Sequence, residues 1–113
     1  MFKITQNKIG EYLFSLYAGN GQEILYSEPY MTKAGCENAI ESTKRNSLRE
    51  DAFQKKTASN GKYYFYLKAQ NGQIIGTSNY YESEASRDNG ILSVMKNAPD
   101  AKIETVWIVW HTC

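Results

Sequence analysis

Gly10-Glu-Tyr-Leu-Phe-Ser-Leu-Tyr-Ala-Gly-Asn-Gly-Gln22 returns 51 positions later as Gly61-Lys-Tyr-Tyr-Phe-Tyr-Leu-Lys-Ala-Gln-Asn-Gly-Gln73, without a gap. Tyr12/Tyr63, Phe14/Phe65, Leu16/Leu67, Ala18/Ala69, Asn20/Asn71, Gly21/Gly72 and Gln22/Gln73 are identical pairs. The same offset continues through Ile24/Ile75, Ser27/Ser78, Tyr30/Tyr81, Ile40/Ile91, Ser42/Ser93 and Asn46/Asn97, and it places Phe2 on Phe53. Such self-similarity marks two copies of one supersecondary unit. Each copy is too short to bury its own apolar face comfortably, so the two are expected to share a core. The expected organisation is a single domain over residues 1–113, with repeats at 1–51 and 52–105 and a C-terminal extension at 106–113.

Each copy opens with strands. Tyr12, Phe14, Leu16 and Ala18 alternate with polar or variable residues, as do Tyr63, Phe65, Leu67 and Ala69. Asn-Gly follows in both copies, a strong hairpin signal. A two-residue turn at Asn20-Gly21 would set Glu23 and Leu25 beside the Phe14-Leu16 face. A three-residue loop, Gly19-Asn20-Gly21 with Gly21 left-handed, sets Gln22, Ile24 and Tyr26 there instead. Ile24 and Ile75 agree between copies whereas Leu25 and Gly76 do not. That favours the three-residue loop and sends Leu25 to the other face. Thr32 and Ser83 are suited to cap a helix. Cys36, Ala39, Ile40 and Thr43 then form a helical stripe, matched by Arg87, Gly90, Ile91 and Val94. Asn46 and Asn97 fit a left-handed residue at the helix end, and Pro99 stops the second helix. Phe53–Thr57 and Lys102–Trp107 read as the strands after the helices.

The repeated Phe-x-Leu-x-Ala-x-Asn-Gly core, followed by a helix ending in Asn-Gly-Ile-x-Ser-Val-x-x-Asn, resembles the YegP-like family of small bacterial proteins. The second copy carries it best, in Phe65, Leu67, Lys68, Ala69, Asn71 and Gly72, then Asn89, Gly90, Ile91, Ser93, Val94 and Asn97. The stretch from Lys56 to Lys62 resembles the family's linker. The resemblance covers about Phe2 to Glu104. It implies an α+β fold of two tandem β3-αβ repeats forming one antiparallel sheet, with both helices on one face and exchanged C-terminal strands. It implies no activity. The chain departs from the pattern at Tyr17, where the family has Lys, and in its Val106–Cys113 extension.

Thirteen Lys plus Arg against twelve Asp plus Glu leave a charge of +1, too little to recruit nucleic acid or an anionic membrane by net charge. Hydrophobic residues at 42% and charged residues at 22% fit a globular chain rather than a disordered one. The start Met1-Phe2-Lys3-Ile4 lacks the basic and apolar pattern of a signal peptide. No apolar run approaches the length of a membrane span. The two cysteines, Cys36 and Cys113, lack the close spacing of zinc or redox motifs. A cytoplasmic protein is expected.

Residues with catalytic potential do not converge. His111 is the only histidine and sits two residues before Cys113 without an evident orienting partner. Cys36 near a helix start could be an activated nucleophile, but its place beside Ala39 and Ile40 reads as a buried thiol. Glu37 and Glu41 share a helix face, yet their counterparts Asp88 and Leu92 break the pair. No catalytic residue, cofactor or metal ligand is assigned.

One surface stands out. If the helices cover the Phe14-Phe65 face, the opposite face carries Leu13, Tyr17, Leu25, Tyr64, Tyr66 and Ile74, more apolar than a wetted sheet face usually is. The expected function is non-catalytic binding of a protein or small ligand. The alternative is single-stranded nucleic-acid binding across Tyr64, Tyr66 and nearby Lys55, Lys56, Lys62 and Lys68, against which stand the low charge and the missing RNA-recognition motifs. A small-molecule enzyme comes third. The run Val106-Trp107-Ile108-Val109-Trp110 has high β-propensity and no charge, so it is expected to be paired or packed. Trp107 and Trp110 would point to opposite faces of a strand, one of them extending the patch and supporting a symmetric homodimer.

Overall fold

A computed structural model of the chain describes residues 1–106. The first repeat contains β1 (Phe2–Gln6), β2 (Tyr12–Tyr17), β3 (Glu23–Tyr26) and α1 (Lys33–Asn46). A short 3-10 turn, Glu50–Ala52, leads into β4 (Phe53–Thr57). The second repeat continues with β5 (Tyr63–Lys68), β6 (Ile74–Thr77), α2 (Glu84–Asn97) and β7 (Ile103–Thr105). The strands form one sheet in the order β4-β5-β6-β3-β2-β1-β7. The terminal strands are exchanged: β4, which follows α1, pairs with β5 of the second repeat, and β7, which follows α2, pairs with β1 of the first. The sheet is mixed rather than wholly antiparallel, because β7 runs parallel to β1. A strand reached through a helical crossover, rather than a tight hairpin, is free to take that direction.

The hairpin turns follow one local rule. Ala18 donates its N–H to the Gln22 carbonyl at 2.8 Å, enclosing the three-residue loop Gly19-Asn20-Gly21, and Gly21 has φ +84°. The second copy repeats this between Ala69 and Gln73, with Gly72 at φ +85°. Any other common residue at these left-handed positions would carry a steric cost. Asn20 Oδ1 and Asn71 Oδ1 accept from the N–H two residues on, each at 3.0 Å, which fixes the loop from inside.

Beyond the loop the expected facing holds for Ile24 and fails for Leu25 and Tyr26. Tyr17 pairs with Glu23 and Leu16 pairs with Leu25, so Ile24 is an extra residue in a β-bulge. The bulge turns both Ile24 and Leu25 into the core and leaves Tyr26 exposed. Leu25 therefore leaves the helix-free face to which strict alternation had assigned it. Ile75 and Gly76 occupy the same bulge in β6.

The two halves meet where β3 pairs with β6 at Tyr26 and Thr77, residues separated by the repeat offset. A pseudo-twofold axis therefore passes through this pair. Equivalent residues beside it approach each other, and two leucines would not fit. A β-carbon on Gly76 would lie 2.7 Å from Leu25 Cγ and Cδ2. Leu25 fills the space that the missing side chain of Gly76 leaves.

Both helices begin at the expected caps. Thr32 Oγ1 accepts from Gly35 N at 2.9 Å, and Ser83 Oγ from Ser86 N at 3.1 Å. Their ends differ from the expectation, since no residue other than glycine has a positive φ among the described residues. Asn46 and Asn97 remain helical. Their amide Nδ2 atoms reach back to the Ser42 and Ser93 carbonyls, both at 2.8 Å, and to the same serines' hydroxyls. The helices pack on the Phe14-Phe65 face, as the stripe predicted, with Cys36, Ile40, Thr43, Ile91 and Val94 buried. Gly90 in α2 accommodates Tyr81, whose hydroxyl would collide with any β-carbon there.

Phe14 and Phe65 are equivalent core residues, each fully buried and meeting Phe2 or Phe53 edge-on at a centroid distance of 5.7 Å. Phe14→Ala and Phe65→Ala are each expected to cost about 3–5 kcal/mol in equilibrium denaturation; a cost under about 1 kcal/mol at either site would contradict this packing. At the junction, Gly76→Ala is expected to destabilise by about 1–3 kcal/mol through overpacking against Leu25. Leu25→Ala makes room for that methyl, so a double-mutant cycle should show the pair costing less than the two single changes together.

Candidate functional site

The side chains that point away from the helices are fixed by the pleat of each strand. On β2 they are Leu13, Ser15 and Tyr17, opposite the core residues Phe14 and Leu16. On β5 they are Tyr64, Tyr66 and Lys68, opposite Phe65 and Leu67. Tyr26 of β3 stands between Ser15 and Thr77, and Thr77 in turn pairs with Tyr66, so one continuous row crosses the middle of the sheet.

Tyrosines gather at this centre. The Tyr64 ring meets Tyr66 edge-on at 5.4 Å and Tyr80 edge-on at 5.5 Å, a geometry that aligns the positive edge of one ring with the negative face of the next. Tyr80 is 61% exposed and Tyr26 41%, while Tyr64 and Tyr66 are half-buried. The hydrogen bond between the Tyr64 and Tyr66 hydroxyls, long at 3.5 Å, is the main influence raising the Tyr64 phenol above its ordinary range. Burial raises Tyr26, assisted by neighbouring Tyr80 and Glu23. Both phenols are therefore neutral donors at physiological pH.

The sequence-assigned residues divide into groups. Tyr64, Tyr66 and Ile74 share the face, with Ile74 beside Lys68. Leu13 and Tyr17 share it at the β2 end, where the Lys3 ammonium covers the Tyr17 ring at 4.8 Å. Leu25 is buried in the core. Trp107 and Trp110 lie outside the described residues, as do His111 and Cys113. Tyr26 and Tyr80 complete the cluster and were not singled out. Tyr26 was hidden by the bulge, and Tyr80 stands in the loop after β6, where strand periodicity carries no signal.

Chemistry elsewhere is sparse. Cys36 is fully buried, and burial first, then Glu37, pushes its thiol up to about 11. This is the opposite of the shift that activates a nucleophilic cysteine. Among the described residues no group of His, Cys, Asp and Glu is placed to hold a metal ion. Arg87, buried in the α2 stripe, stacks over Tyr63 at 5.4 Å and donates to Asp88 and to the Lys56 carbonyl. It braces β4 rather than facing a cavity. No helix among the described residues is long and apolar enough to cross a membrane.

A duplicated β3-αβ sheet with exchanged end strands and an aromatic open face defines the structural class. The chain belongs to the family described as Domain of unknown function (DUF1508), whose model matches it twice, at residues 7–53 and 58–104. Among its relatives is the UPF0339 protein in the ptx operon 5' region of Stutzerimonas stutzeri, 50% identical over 93% of this chain and 95% of that protein. The solution structure of a UPF0339 protein from Shewanella oneidensis superposes with a TM-score of 0.87, at 47% identity, covering 92% of this chain and 88% of that one. The Escherichia coli protein of unknown function yegP gives 0.88 at 44% identity, covering 92% and 90%. The resemblance to YegP-like proteins is thereby established.

Two outcomes follow from the Cys36 environment. With Cys113 replaced by serine, Cys36 in the native protein should react with a thiol reagent orders of magnitude more slowly than in the unfolded chain; fast native labelling would contradict its burial. A thiol pKa raised by folding, from 9.0 to about 11, favours the folded state fully below pH 9. That contribution is lost as pH rises towards 11, so denaturation at pH 8 and pH 11 should show a loss of stability smaller in Cys36→Ala than in the parent.

Proposed function

We propose that this protein is a non-catalytic binding module that engages a protein partner through the tyrosine-bearing, helix-free face of its sheet. The observation that carries this reading is the cluster of Tyr26, Tyr64, Tyr66 and Tyr80. Tyrosine offers large contact area with few rotatable bonds and a polar tip, which is why it is enriched at the energetic centres of interfaces. Three of the four are carried on strands, so little ordering entropy is lost when a partner covers them. The reading places the protein in the cytoplasm, supported by a buried, unbridged Cys36.

A second reading rests on Lys56 and Lys68, which flank the tyrosines on the same face. Basic groups beside exposed aromatic rings are the elements of a single-strand binding platform. The near-zero net charge weighs against it.

The test uses Tyr64→Ser combined with Tyr80→Ser. Immobilised parent protein is expected to retain a protein partner from bacterial extract at low and at high salt, and the double variant to lose it while remaining folded by circular dichroism. Retention unchanged by the double variant would remove the tyrosine face from consideration. A labelled oligothymidylate that binds at about 50 mM salt and weakens about 10³-fold or more by 200 mM would establish the nucleic-acid reading instead.

A further inference from the structure

The pseudo-twofold relation between the halves holds for six strands and fails at the seventh. β1 and β4 are equivalent outer partners: Phe2 and Ile4 face Leu16 and Phe14 as Phe53 and Lys55 face Leu67 and Phe65. β1 is covered by β7, through Phe2 N–H to the Lys102 carbonyl at 2.7 Å and Val106 N–H to the Ile4 carbonyl at 2.8 Å. Phe2 and Ile4 are consequently wholly buried. β4 pairs with no strand on its outer side among the described residues. The Lys55 carbonyl, counterpart of the one Val106 uses, faces that open edge.

Where β7 would lie if the symmetry were complete, there is a groove of about 660 Å³ lined by Phe53, Lys55, Asp88, Ile91, Leu92 and Met95, together with the acidic Glu50 and Asp51 of the turn before β4. Its outer wall is more apolar than its covered counterpart. Leu92, 62% exposed, stands where the first repeat has Glu41, and Met95 where it has Lys44. Two lysines on an edge strand usually discourage pairing. Here Lys55 is drawn aside to Asp88 at 3.2 Å and Lys56 lies on the helix-free face beside Tyr64, so the backbone edge stays open. The covered half shows what fits such a slot, an extended segment running parallel to the edge strand.

The chain carries an apolar segment of that kind immediately after β7: Trp107-Ile108-Val109-Trp110, continuing to Cys113 and lying beyond the matched family units. Its own β4 is out of reach. Six interstrand steps of about 4.8 Å separate β7 from β4, about 29 Å in all. The seven residues 107–113 span at most about 25 Å and would have none left to pair. We propose that residues 107–113 of a second copy add to β4 as a parallel strand and place an indole against Leu92 and Met95. Reciprocal exchange closes a twofold dimer, in which each copy donates the strand the other lacks. This contact is separate from the tyrosine face.

Sedimentation equilibrium at micromolar concentrations, on the intact chain, on a chain ending at Val106 and on Leu92→Glu, tests the proposal. Leu92 is exposed, and the change installs the residue type found at its counterpart Glu41, so the fold is expected to persist. The intact chain should be dimeric and both alterations monomeric. A labelled peptide of residues 105–113 should bind the shortened chain saturably, and at least tenfold more weakly when Leu92→Glu is added. A monomeric intact chain, a dimer that survives either alteration, or a dimer abolished by Tyr64→Ser but not by Leu92→Glu would each overturn it.

Discussion

The side chain of Leu25 lies across the bare α-carbon of Gly76, and the two repeats are joined at that point. The β3–β6 pair is short, with Tyr26 opposite Thr77, and backbone bonding alone would hold it weakly. The bulges in β3 and β6 turn an extra residue inward on each side, so apolar contact is added where hydrogen bonding is thin. Ser27 and Ser78 complete the same region. Each hydroxyl accepts from the N–H of its copy's central phenylalanine, Phe14 or Phe65, at 2.9 Å. Neither copy could close this sheet alone, because each lends its last strand to the other.

Duplication makes two similar halves, and the sheet makes them unequal. β4 serves at once as the strand that ends the first repeat and the strand that opens the second, while among the described residues β7 has no equivalent beyond β4. One edge therefore carries an additional parallel strand and the other an open groove. The residues beside these edges differ accordingly: Glu41 and Lys44 on the covered side, Leu92 and Met95 on the open one. An internal repeat thus supplies its own control, since each position can be compared with a near-copy in a different environment.

The helix-free face belongs to a different level of organisation. Its tyrosines are placed by the pleat and held by one another, and none is needed to fill the core. Cys36, by contrast, is absorbed into the core with a raised thiol pKa. What the described residues present to their surroundings is aromatic surface and a strand edge.

Much of this architecture was written locally. The repeat offset, the left-handed Gly21 and Gly72, the caps at Thr32 and Ser83, and the buried stripe from Cys36 to Thr43 each depend on interactions spanning a few residues. The sign of a backbone dihedral and the period of a helix are legible at that range. The resemblance to a known family supplied the strand exchange, which no local pattern encodes. The facing of Leu25 and the parallel direction of β7 were decided only in the assembled sheet, whereas Asn46 stays helical through its local bonds to Ser42. Leu25 turns inward because Gly76 leaves room for it, and that vacancy lies 51 positions away in the chain. Tyr26 is exposed for the same reason, since the bulge that buries Leu25 reverses the residue after it. Alternation along one strand cannot show a bulge that exists only in its pairing with another.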